Sequence, residues 1–153
     1  MVFQSQSYTL DDNLVLSAAA LVAADAVGSV AYLDLGAANA YAEFDVVLNW
    51  TACEVATGDE KYHFRVQGSD TTAFTNAYTL GQVILGDSTV NFNAVDTAPV
   101  GRYVIHCDNV ACTSATDGGS LIATRYVRIY LDVTGTIATG INYSANLVPR
   151  KPC

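Results

Sequence analysis

Hydrophobic and polar residues alternate with a period of two along most of this chain. In Glu43 to Trp50 the apolar set is Phe44, Val46, Leu48 and Trp50, with Glu43, Asp45 and Asn49 on the other side. Lys61 to Gln67 repeats the pattern, Tyr62, Phe64 and Val66 facing inward and Lys61, His63, Arg65 and Gln67 facing solvent. Arg102 to Asp108 sets Tyr103, Ile105 and Cys107 inward, and Thr139 to Leu147 does the same with Ile141, Tyr143, Ala145 and Leu147. A strand turns each successive side chain to the opposite face, so this period predicts half-buried strands. Val30 to Leu35, Tyr78 to Leu85 and Thr124 to Val133 bring the number to seven, and part of the N-terminal segment supplies a candidate eighth.

Turn residues separate these runs: Gly36, Gly58-Asp59, Gly68-Ser69-Asp70, Gly86-Asp87, Pro99 with Gly101, Asp117-Gly118-Gly119 and Gly135. Glycine accepts positive φ and Asp closes its own turn, so the chain reverses there. Seven or eight short strands, each with one wet face, predict an all-β fold, an antiparallel β-sandwich or jelly roll with an N-terminal arm. Residues 1–29 read as that arm and an Ala-rich segment, residues 30–148 as the β domain and residues 149–153 as a tail. The Ala-rich run Ser17 to Ala26 favours helix by composition but lacks a polar stripe, which leaves a short helix or an extended arm.

A chain of 153 residues fits one domain with a core large enough to need no metal or disulfide staple. Charged residues make up only 14%, so the surface must be built from Thr, Ser, Asn, Gly and Ala. The formal charge of −8, with cations dispersed except for Arg125/Arg128 and Arg150-Lys151, argues against nucleic acid, which requires a basic stripe to displace counterions. Leu14 to Ala24, the longest apolar stretch, is too short to cross a bilayer, and no Lys or Arg precedes it as a secretory signal requires.

Candidate chemistry is sparse. Cys53, Cys107, Cys112 and Cys153 form no C-x-x-C pair, and His63 and His106 have no zinc-like spacing, so neither metal nor cofactor is expected. The cysteines read as free thiols, Cys107 as a small buried hydrophobe; a Cys107–Cys112 hairpin disulfide is the alternative. Both histidines fall at outward strand positions. The acid pairs Asp11-Asp12 and Asp59-Glu60 fall where an arm or a turn is expected, as solvated carboxylates with no apolar setting to raise a pKa. These features predict binding and no catalysis.

The outer face of Thr124 to Val133 presents Tyr126, Arg128, Tyr130 and Asp132. Tyr and Arg are enriched at protein interfaces because they combine contact area with a polar tip. The competing reading is that this face packs only on its own neighbours. In the polar N-terminal segment, Phe3, Tyr8 and Leu10 are spaced as apolar anchors of an arm lying on a partner.

The order of an N-terminal arm, Leu33-Asp34-Leu35-Gly36, Phe64 to Asp70, Gly101-Arg102-Tyr103, then Arg125 to Ile129 and Gly135 to Gly140 resembles the capsid cement (decoration) proteins of tailed bacteriophages, a family typified by a Bordetella phage cement protein. The likeness runs from about Asp12 to Leu147. It implies a jelly roll, a homotrimer on the outer surface of the virion capsid, and a partner in the major capsid protein, whose subunits it clamps after the shell expands. It implies no catalytic residue, while the charge and the short apolar stretch already argue against a nucleic-acid or membrane partner. The Ala-rich run, the four cysteines and the Arg150 to Cys153 tail depart from the likeness. A carbohydrate-binding jelly roll, lectin-like or receptor-binding, is the alternative, in which surface Tyr and Trp50 would stack on sugar rings; the alternation around Trp50 places it in the core instead.

Overall fold

The computed structural model describes residues 12–36, 41–86, 95–96, 100–112 and 121–150. Among these residues twelve strands follow a 3-10 turn at Asp12–Leu14: β1 Val15–Val22, β2 Ala26–Val27, β3 Leu33–Asp34, β4 Glu43–Cys53, β5 Lys61–Ser69, β6 Tyr78–Gly86, β7 Val95–Asp96, β8 Gly101–Asp108, β9 Val110–Cys112, β10 Leu121–Ala123, β11 Tyr126–Thr134 and β12 Ile141–Pro149. No α-helix occurs among the described residues.

One sheet has the order β1-β12-β4-β8. The second runs β2-β11-β5-β6-β7, with β3 also pairing β11. The antiparallel pairs β1 with β12, β2 and β3 with β11, β4 with β8, and β5 with β6 nest one inside another along the chain. Such nesting is a long hairpin rolled into two facing sheets, which is the jelly-roll arrangement. The small hairpin β9–β10 lies outside both sheets.

The core fills the space between the sheets with the predicted inward sets. Phe44, Val46, Leu48, Trp50, Tyr62, Phe64, Val66, Val127, Ile129, Leu131, Ile141, Tyr143, Ala145 and Leu147 are all buried. Phe64 meets Tyr143 across the sandwich edge to face, ring centroids 4.8 Å apart, the geometry favoured by aromatic quadrupoles. Gly101 is required beside this core, because a Cβ there would run into the Trp50 ring. Tyr103 shares the inward parity of Ile105 and Cys107 but remains 37% exposed, a departure from the alternation.

The Ala-rich run is neither a helix nor a free arm where it is described. Val15–Val22 is an edge strand hydrogen-bonded to β12, with irregularities between Val15 and Ser17 and between Ser17 and Ala20. An eight-residue helix without a polar face gains little in isolation, whereas the open edge of β12 offers a ready-made ladder. Of the strand expected at Val30 to Leu35 only β3, Leu33–Asp34, pairs with β11; a separate short pairing by β2, Ala26–Val27, precedes it, and residues 28–32 are out of the ladder. Gly28 makes the close approach there, its N–H donating to the Ile129 carbonyl at 2.9 Å.

Cys53 and Cys107 are free thiols, and Cys107 is buried as expected, which removes the hairpin disulfide. Burial pushes both thiols up to about 12, away from the reactive thiolate. Reductant is therefore expected to leave the melting temperature unchanged. Loss of a structural disulfide costs about 2–5 kcal/mol, so a drop of several degrees in a thermal melt under reductant would contradict this assignment.

Candidate interaction face

The outer face of the second sheet is built by the alternate residues of β11 and β5. Antiparallel pairing sets Arg128 beside Gln67, Tyr130 beside Arg65, and Asp132 beside His63. Tyr126, Arg128 and Tyr130 are all half-buried on this face, while Val127, Ile129 and Leu131 point into the core.

Arg128 is the best-held of the three. Its Nε donates to Gln67 Oε1 at 2.9 Å. Its guanidinium lies 4.2 Å from the centroid of the Phe74 ring and 6.0 Å from that of Tyr130. Burial holds its pKa below the ordinary arginine value. Phe74, from the loop between β5 and β6, is itself buried and has a φ of 51°, a left-handed backbone that a bulky residue adopts only when its surroundings enforce it. The remaining Arg128 nitrogens have no hydrogen-bond partner among the described residues.

Its neighbours are neutralised. Arg65 pairs with Asp132 at 2.7 Å and also donates to His63 Nδ1. With Nδ1 accepting, the neutral tautomer of His63 carries its proton on Nε2 and donates to Gln82 Oε1 at 2.9 Å. Arg125 forks onto Asp34 with bonds of 2.8 and 2.7 Å. That fork, with the Gly36 N–H, lowers the Asp34 carboxyl to about 2. Tyr126 packs edge-on to Tyr32 with centroids 5.2 Å apart. Tyr126, Arg128 and Tyr130 thus share one face of β11, where Tyr126 packs on Tyr32 and Arg128 on Phe74 and Gln67 of the same chain. Phe3, Tyr8 and Leu10 lie outside the described residues. Phe74, Gln67 and Tyr32 were missed in the sequence: Phe74 belongs to a loop with no period, and Gln67 reads as an ordinary outward strand residue.

The remaining polar groups hold the fold. Asp45, expected on a wet face, is 5% exposed; it accepts from Arg150 Nε at 2.8 Å and from His106 Nδ1 at 2.7 Å. Glu60, expected as a solvated acid, is fully buried and accepts the Thr57 N–H at 2.8 Å. Burial pushes its carboxyl up, but N–H groups of Thr57, Glu60 and Gly58 outweigh this and leave it below the ordinary value. Asp59 is exposed as expected and bonds Thr57 and Thr136.

Glu54 gathers the N–H groups of Ala138, Thr139 and Gly140 and the Thr139 hydroxyl onto its carboxylate, bracing the turn into β12. It also borders an open apolar depression of about 550 Å³ with Leu21, Cys53 and Val55. The donated bonds, led by Gly140 and Thr139, lower its pKa from 4.5. The stability this contributes is present above the ordinary carboxylate pKa and disappears as pH falls through the depressed value. Glu54→Gln is therefore expected to melt below the parent near neutral pH, with the gap closing under acid in pH-dependent thermal melts. A gap independent of pH would contradict the charge-assisted brace.

No protein-family model and no curated protein matches the sequence.

Proposed function

We propose that this chain is a structural protein of a tailed-phage head, which binds the outer surface of the expanded capsid as a homotrimer and cements neighbouring major-capsid subunits. The observation that carries this reading is the nested strand order of a jelly roll, which agrees with what the sequence resemblance implies. The commitment of Asp45, Glu54, Asp59 and Asp34 to bracing bonds supports a binding role. So does a broad face bearing Tyr126, Arg128 and Tyr130, residue types that supply hot spots at protein interfaces.

The mechanism is multiplication of modest contacts. A trimer brings three capsid contacts to one particle, and the second and third form at high effective concentration once the first is made. A rigid two-sheet body suits this, because little conformational entropy is lost when a pre-ordered surface docks.

The test is co-sedimentation with expanded, empty heads that lack this protein, set beside a glycan-binding screen. Saturable binding to heads, without binding to glycans, is the expected outcome. Glycan binding without head binding would favour the carbohydrate-binding alternative, although Trp50, the side chain best suited to stacking on a sugar, is only 6% exposed.

A further inference from the structure

We infer that Arg128 on the outer face of the second sheet docks against the Glu43–Asp108 corner of the first sheet in a second copy of this chain, forming the repeated contact of the trimer. The inference rests on the homotrimeric part of the function proposed above and names the surfaces that would make it.

The argument starts from the sorting of charge. The chain carries −8 overall with seven cations, yet Lys61, Arg65, Arg125 and Arg128 all belong to β5, β11 or the residue before β11. This sheet face is the cationic side of an acidic protein. Arg65 and Arg125 are countered by Asp132 and Asp34. Arg128 has no acid within ion-pair distance among the described residues. It is nevertheless held in place, stacked on Phe74 and tethered through Nε to Gln67. A guanidinium fixed on one edge and open on the other is pre-organised for a carboxylate.

The acids can be sorted in the same way. Among the described residues, Asp34, Asp45 and Asp132 have cationic partners. Asp25, Glu54, Asp59, Glu60 and Asp108 accept backbone N–H groups, that of Val110 in the case of Asp108. Glu43 and Asp108 stand out because the register of β4 and β8 places them directly opposite each other, and like charges so placed repel. Glu43 is exposed, and among the described residues its side chain accepts only the Tyr41 hydroxyl, at 2.6 Å. Tyr41 is itself 61% exposed, adding an aromatic surface beside the acids. A cation from outside would relieve this repulsion. The two surfaces lie on different sheets, so the contact is heterologous, which is what a closed cyclic trimer needs.

Sedimentation equilibrium of the purified full chain provides the test, with far-UV circular dichroism to verify folding. Arg128→Glu and Glu43→Lys are each expected to weaken association at least about tenfold, and the doubly exchanged protein Arg128→Glu/Glu43→Lys to recover most of that loss. Arg128→Lys keeps the charge but loses the stacked fork, and should show an intermediate loss. Parental association of the Arg128→Glu protein overturns the inference, as does a double variant no better than either single one. A monomeric parent at micromolar concentration also overturns it. Head co-sedimentation of the same proteins is read separately, so a failed trimer contact is distinguishable from a failed capsid-binding role.

Discussion

Replacing Phe64 by alanine is expected to lower stability by about 3–5 kcal/mol, enough to move the melting temperature by about 10 °C or more in a chain of this size. Phe64 is fully buried in the middle of β5 and packs edge-on against Tyr143 of β12, so it joins the two sheets. Truncation removes the ring's burial and leaves a cavity that strands fixed by ladders on both sides cannot close. The measurement is a thermal or urea melt followed by circular dichroism. A change below about 1 kcal/mol would mean that the sheets do not pack through this residue.

Deleting residues 1–10 is expected to cause the largest functional loss. The segment carries Phe3, Tyr8 and Leu10 among Gln, Ser and Thr and precedes the first described turn at Asp12–Leu14. If each arm supplies a tenfold share of capsid affinity, loss of three arms compounds to roughly a thousandfold through valency. The fold should survive, because the first strand, β1, begins only at Val15, after the deleted residues. A folded variant that decorates heads as well as the parent does would remove the arm from the mechanism.

The strands with strict alternation were legible because each has one face against the core. β5 and β11 follow the predicted inward sets through Val66 and Leu131. The pattern failed where a local rule was overridden from afar. Helix-favouring alanines became β1 because β12 offered an edge to pair with. Asp45 and Glu60 read as solvated acids because their partners, Arg150 and the Thr57 amide, are fixed by the fold or by a turn rather than by period. At the candidate face, Tyr126, Arg128 and Tyr130 were visible as one side of one strand. The support beneath Arg128 was not, because Phe74 sits in an irregular loop with a left-handed φ of 51° that no alternation encodes.

The most direct test of the proposed function is cryo-electron microscopy of expanded empty heads incubated with the purified chain. The expected result is additional density on the outer surface at sites of local threefold symmetry, into which three copies of the two-sheet body fit. Heads that stay bare at saturating protein, or density that does not follow threefold sites, would contradict it.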